Sequence, residues 1–527
     1  MSATAQQFGK FRSLFWPIQR KEIKIFLPLF LIYALICLNY TILRVIKDPI
    51  VMTAPGAGAE VLPFLKVGAI LPMALLSTYV FSRLVNKYSQ EKVFYFLMSG
   101  FLVFFVLFIT VLYPLQDYLH PTEFCDWLEG ELPKGFTGFV ASIRNWTCTL
   151  FYVMAELWST TIMTVLFWGF ANHITPVGDA KRYYGILGVG ANIATILAGT
   201  FPALVSTYYL DFSFYFGDDM WAQYIANITL VIVASGLACM GIFRWYHKNI
   251  LTNGLLPNSP HHAESSDSSK KIKMSLKKSF LYLAKSKYLI SIAVIVLTYN
   301  IAMNLLENVW KDQVKSVFDN STDMAIYFGR VTTIGATIAT IVGFFFTSAL
   351  IRKSGWTFSA LVTPAIMLIT GGLFFSFALI KDSRLGEISA FYGFSPLSLV
   401  VFFGATQQAL IRASKYTFFD ATKEISYIPL SRECKLKGKA AIDGVGSRLG
   451  KSGGSILCIL LITSFESLSA CVPIVAIILL GVLAAFIIAV RTLGHQFNDL
   501  TSHNEKIDIE EGAQTVEGDS KKKEVLV

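Results

Sequence analysis

About twelve predominantly apolar stretches recur along this chain, each long enough to carry a helix across a hydrocarbon layer of ~30 Å. They fall at 25–46, 62–82, 92–114, 146–171, 185–206 and 221–244, then at 288–310, 325–351, 357–380, 393–418, 440–464 and 469–491. In lipid every backbone donor and acceptor must be satisfied by the chain itself, so only helices and closed barrels can span it. Runs of this length dictate helices. The expected fold is an all-α polytopic membrane protein. Composition agrees, because 54% of the 527 residues are hydrophobic and 15% are charged, too few to cover a soluble body of this size.

The connecting segments alternate in charge. Basic ones are the N-terminus, Arg83 to Lys92, Lys181-Arg182, Arg244 to Lys287, Arg352-Lys353, Arg432 to Lys439 and the segment after Arg491. Acidic or neutral ones lie between them, as at Asp117 to Glu131, Asp211 to Asp219 and Asp319 to Asp323. The positive-inside rule then predicts an even number of spans and both termini in the cytoplasm. The net charge of +10 is distributed over these loops and is no nucleic-acid signature. The seven cysteines form no CxxC pair and mostly lie in apolar runs, so neither a metal site nor a disulfide framework is expected. The basic N-terminal segment lacks the small-residue cleavage site of a signal peptide, which leaves the first span in the mature chain.

These features divide the chain into five parts. Residues 1–24 read as a cytoplasmic N-terminus, 25–245 as one six-helix half and 246–287 as a basic cytoplasmic linker. Residues 288–492 read as the second six-helix half and 493–527 as a charged, disordered tail. Within the linker, Asn253 to Ser269 has flexible composition, and Lys270 to Lys287 suits either a helix on the anionic leaflet or a solvated basic loop. A weak repeat relates the halves. ILRVIKD (Ile42 to Asp48) matches LENVWKD (Leu306 to Asp312), and Lys181 to Gly199 shares a basic start and a GVG with Lys437 to Ser455. Both matches run in one direction, as in carriers whose halves are related by an axis along the membrane normal.

Charged residues inside the spans are costly and face the bundle interior or a wet cavity. Tyr40, Arg44 and Lys47 share a face of the first span, and Glu156 lies in a polar stripe with Ser159 and Thr160 on the fourth. The seventh carries Asn300, Asn304, Glu307, Asn308 and Lys311; the eighth opens with Arg330; the tenth carries Gln407, Gln408, Arg412 and Lys415. Mutual pairing into helix clamps is one reading, most directly for Glu307 with Lys311 at i, i+4. Yet Lys47, Arg330, Arg412, Arg448 and Lys451 outnumber Glu156 and Glu307, and a surplus of cations suits an anion such as phosphate.

The stretch Lys437 to Ser455 (KGKAAIDGVGSRLGKSGGS) concentrates this pattern. Gly446, Gly450 and Gly454 form a small-residue stripe for close helix contact, while Arg448, Lys451 and Ser455 fall on another face. A nucleotide-binding P-loop is excluded by spacing, since Val445 stands where the first glycine is required and no strand precedes it. The remaining alternative to a cation-presenting helix is a purely structural one whose lysine snorkels to the interface.

At these residues the chain resembles the non-mitochondrial ATP/ADP translocases of plastids and obligate intracellular bacteria such as chlamydiae and rickettsiae. The resemblance covers nearly the full length. It is carried by LNYTILRVIKD (Leu38 to Asp48), AELWST (Ala155 to Thr160), FWGFANHIT (Phe167 to Thr175), DAKRYYG (Asp179 to Gly185), KNILTN (Lys248 to Asn253), EISYIPL (Glu424 to Leu430), KGKAAID and LGKSGG. It implies a major-facilitator-like bundle of twelve helices that exchanges nucleotides, with Lys47, Glu156, Glu307 and Lys451 as the family's charged transport residues. Arg44, Asn304, Arg330, Arg412 and Arg448 are secondary candidates. Val45-Ile46, Pro49, Ser159, His173, Asn308 and Arg448 depart from the family pattern beside that site, which bears on substrate range.

The expected function is ATP/ADP counter-exchange across a bacterial inner membrane by alternating access, with a broader-range exchanger or a proton-coupled symporter as the alternative. The expected partners are ATP, ADP, phosphate or protons, and the lipid bilayer, with no cofactor, metal, nucleic acid or obligate protein partner. No catalytic constellation is legible, so an enzyme or primary pump is not expected. Glu156 and Glu307 are the acids placed near the cations.

Overall fold

The structure is a computed structural model that describes residues 18–19, 22–175, 177–251, 286–381, 395–430 and 432–502. Most of the expected N-terminal segment, the linker from 252 to 285 with most of its basic run, and the tail beyond Ser502 lie outside the described residues.

Eleven described helices are long and apolar enough to cross a membrane. In the first half of the chain these are α1 (Ile23–Met52), α2 (Val61–Lys87), α3 (Gln90–Leu112), α4 (Trp146–Asn172), α5 (Tyr183–Thr207) and α6 (Met220–Leu251). In the second they are α7 (Lys287–Lys315), α8 (Ser321–Thr347) and α9 (Leu350–Ile380), then α11 (Ala441–Phe465) and α12 (Val472–Thr501). The span expected at 393–418 is present as the helix α10 (Pro396–Ser414), opened by Ser395, whose hydroxyl accepts from the Ser398 amide. Gln407, Gln408 and Arg412 make it the least apolar of the set, and Gln407 and Gln408 are fully buried. Polarity turned inward, away from lipid, is what a carrier helix requires.

Two compact units account for the chain, Met1–Lys270 with Phe318–Thr337, and Lys271–Val317 with Ile338–Val527. The opening stretch of α8 packs with the first unit. The cause is local. A Cβ on Gly199 of α5 would strike Thr333 and the Gly329 carbonyl, and one on Gly329 would strike the Gly199 carbonyl and Pro202. Paired glycines let two backbones touch. The Thr53 and Ser321 hydroxyls, 2.6 Å apart, add a polar tie.

Inside the first unit α1 is the central element, buried along most of its length and packed by α4, α5 and α6. Asn39 Nδ2 donates to the Ile232 carbonyl at 3.1 Å and its amide oxygen accepts from Ser235, joining α1 to α6. Inside the second unit α7 takes the same place, packed by α10, α11 and α12. The equivalence of α1 and α7 follows the sequence repeat, since Lys47-Asp48 and Lys311-Asp312 are all buried. All seven cysteines are buried.

Candidate functional site

The first unit holds a cation between a carboxylate and a ring. Lys47 Nζ donates to Glu156 Oε2 at 2.7 Å and lies 4.0 Å from the centroid of the Tyr152 ring. Tyr152 and Glu156 are four residues apart on α4, so both project from one face. The Lys47 side chain is 9% exposed, the Glu156 side chain 32%, so the acid is the partner open to exchange. Just beyond Glu156 the helix widens to π pitch from Trp158 to Phe167, a distortion common at working sites in helices. Arg44 lies one turn before Lys47, half-buried.

The second unit repeats the arrangement with different residues. Glu307 Oε1 lies 3.0 Å from Lys311 Nζ and 3.7 Å from Arg412 Nη2 of α10, so two cations share one carboxylate. α10 also turns to π pitch, from Lys415 to Phe419, soon after its charged residue. The clamp expected between Glu307 and Lys311 is thus formed, and Arg412 joins it from another helix.

α11 reaches α7 by the glycines that the sequence marked. A Cβ on Gly450 would strike Asn300 and the Leu297 carbonyl, and one on Gly454 would strike Asn304. Gly446 stands apart from this crossing. Across it Asn304 Nδ2 donates to the Lys451 carbonyl at 3.1 Å, and Asn308 Nδ2 donates to Asn304 Oδ1 at 2.8 Å. Ser455 is a correction: expected on the cation face, it is fully buried and its hydroxyl faces Asn304 Oδ1 and the Lys451 carbonyl. Close approach at Gly454 draws the neighbouring position into the same interface. Asn304 is therefore a backbone anchor for α11, and Lys451 itself is exposed. Among the described residues neither Lys451, Arg448 nor Arg330 forms an ion pair.

The cation surplus therefore narrows. Lys47 and Arg412 are held by Glu156 and Glu307, whereas Lys451 and Arg330 are exposed and Arg448 is half-buried. Placing Glu156 and Glu307 as the acids near the cations also omitted Asp48 and Asp312, which are more deeply buried than either. Asp312 Oδ2 accepts from Ser469 and Gln313, and Lys381 donates to Gln313 at 3.0 Å, which ties α7 to α9 and to the α11–α12 connection. Tyr152 also went unnoticed. Its one signal was an aromatic four residues before Glu156 in FYVMAEL.

The strings that looked separate in sequence meet in pairs. Glu424 of EISYIPL holds Lys439 at 2.6 Å, and Lys423 beside it holds Asp443 at 3.0 Å, so KGKAAID is tied at Lys439 and Asp443 to the short helix Asp420–Ser426 that follows α10. Tyr184 of DAKRYYG donates to Asn172 of FWGFANHIT at 2.6 Å, and Phe167 stacks on Tyr33 of α1 with centroids 4.4 Å apart.

A helical membrane bundle with paired charges inside each of two units is the construction of a solute carrier. The fold is shared with a bacterial homologue of the iron transporter ferroportin in its inward-facing state, which superposes with a TM-score of 0.54 over 89% of this chain and 98% of its own, at 16% identity. The model of the TLC ATP/ADP transporter family matches residues 1–497, and the chain belongs to that family. ADP,ATP carrier protein 1 of Chlamydia pneumoniae is 41% identical over 93% of this chain and 94% of its own. ADP,ATP carrier protein 1, chloroplastic, of Arabidopsis thaliana is 37% identical over 93% of this chain and 76% of its own. The expected all-α membrane fold and the reading as an ATP/ADP transporter rather than an enzyme agree with these findings.

Proposed function

We propose that this protein exchanges ATP for ADP by alternating access, with Lys47, Glu156, Glu307 and Lys451 as the charged core of its substrate site. Arg44, Asn304, Arg330, Arg412 and Arg448 support them. The observation that carries the reading is the Lys47–Glu156 pair, a partly exposed carboxylate seated on a buried ammonium. A phosphate oxygen is the same kind of ligand as a carboxylate oxygen and carries more charge, so it can take the ammonium from Glu156. Glu156 then acts as a stand-in anion that keeps Lys47 neutralised when no nucleotide is bound. Lys451, which needs no partner displaced, takes the phosphates first.

The membrane would be a bacterial inner membrane with both termini in the cytoplasm, as the loop charges suggest. Phosphate leaving with ADP, or a proton carried by a carboxylate, would balance the charge moved. The reading is tested by competition in proteoliposomes loaded with ADP. Unlabelled ATP and ADP are expected to suppress labelled ATP uptake at similar concentrations, with AMP at least tenfold weaker, because the cations act on terminal phosphates. AMP matching ADP would assign recognition to the nucleoside and remove Lys47 and Lys451 from the site.

A further inference from the structure

The first unit contains a cleft of about 320 Å³ that the transport mechanism does not use. It lies between Ile109 and Thr110 at the end of α3, Phe212 and Phe216 of the α5–α6 connection, and Ala226 and Leu230 of α6. Its lining is almost wholly hydrocarbon. Ala226 and Leu230 are six and ten residues beyond Met220, so at 1.5 Å per residue they lie ~9 and ~15 Å along α6 from its end. α6 has 32 residues and would run ~48 Å, which exceeds a ~30 Å hydrocarbon layer, so the cleft straddles the boundary between head groups and acyl chains. Leu230 is 47% exposed and opens it toward lipid.

The rim of the cleft has a definite sign. Asp211, Asp218 and Asp219 stand in the connection, and no lysine or arginine occurs between Tyr183 and Phe243. Hydrogen bonds from the Ser213 amide and hydroxyl hold the Asp211 carboxyl below its usual range, so it is charged at neutral pH. All three aspartates are exposed, and Asp219 also caps α6 through the Ala222 amide. The Tyr215 hydroxyl donates to the Thr110 carbonyl at 2.6 Å and pins the aromatic connection across α3, which makes the cleft a built feature.

We infer that this cleft binds one acyl chain of an ammonium-bearing phospholipid, phosphatidylethanolamine or phosphatidylcholine, whose cationic head group meets the acidic rim. A hydrocarbon-lined cleft at this depth selects a chain, and the carboxylates disfavour an anionic head group by like-charge repulsion.

The test is native mass spectrometry of detergent-purified protein titrated with phosphatidylethanolamine, phosphatidylcholine or phosphatidylglycerol of identical chains. One molecule of either ammonium lipid should be retained at a concentration at least fivefold below that needed for phosphatidylglycerol. Ala226→Trp, which fills the cleft, should abolish retention of that molecule. Asp211→Asn with Asp218→Asn, both at exposed positions, should leave one lipid bound and erase the preference. Equal retention by wild type and Ala226→Trp, a preference for phosphatidylglycerol, no retained lipid at all, or a preference that survives the double Asn variant would each overturn the inference.

Discussion

Lys451→Ala should weaken binding of ATP and ADP at least tenfold while Glu156→Gln tightens it, a split in sign that a purely structural α11 would not give. A single ammonium–phosphate contact at 4 Å is worth about 1 kcal/mol in bulk water and about 4 kcal/mol at the effective dielectric near a protein surface. Lys451 is exposed in this state, so its value starts near the lower figure and rises as nucleotide excludes water. Tenfold corresponds to about 1.4 kcal/mol and lies inside that interval. Glu156→Gln removes the anion that competes for Lys47 and removes a charge that repels the nucleotide, so affinity rises. Exchange should nevertheless slow, because the empty carrier then has an uncompensated buried lysine, the costly state that Glu156 relieves. Equilibrium binding and exchange rate, measured on both variants, separate these effects. Unchanged nucleotide affinity in Lys451→Ala would make α11 a packing helix alone.

The second large effect is electrical. One ATP of charge about −4 entering for one ADP of about −3 carries a net negative charge inward, which an inside-negative potential opposes by about 2.3 kcal/mol per 100 mV, close to fiftyfold in the equilibrium ratio. A carrier used for energy uptake works against that field unless the charge is balanced. Lys451 and Arg448 form no ion pair among the described residues, and under the proposed exchange phosphate travelling with ADP is the counter-ion to test. In valinomycin-clamped vesicles, the equilibrium ATP/ADP ratio reached inside without phosphate should fall about fiftyfold at −100 mV, and internal phosphate should restore it. If phosphate has no effect and lowering the pH restores exchange, the balancing charge is a proton on a carboxylate, with Asp48 and Asp312 joining Glu156 and Glu307 as candidates.

What the sequence disclosed and what it hid divide along the distance between interacting residues. The spans were legible because length and apolarity are local, and even α10 could be placed despite its glutamines. The Glu307–Lys311 pair was legible because one helical turn fixes it. The stripe of Gly450 and Gly454 announced the close crossing of α11, although not that Ser455 would be drawn into it. Lys47 with Glu156, 109 positions apart, was beyond reach, because charge and depth identify both residues without saying that they touch. Tyr152 was one of 22 tyrosines and carried no mark of its own until Lys47 stood above its ring. The transfer of Phe318–Thr337 to the first unit was hidden for the same reason, since it depends on Gly199 meeting Gly329 across the fold.

Counter-exchange itself is tested most directly by preloading. Purified protein in liposomes that are empty, or loaded with ADP and phosphate, is offered labelled ATP at zero potential and equal pH. Uptake into loaded vesicles should exceed uptake into empty ones at least tenfold, because Glu156 covers only Lys47 in the empty carrier and a bound nucleotide is needed to return it with Lys451 engaged as well. Equal uptake into both, accelerated by an imposed pH gradient, would contradict exchange and make the protein a proton-driven importer.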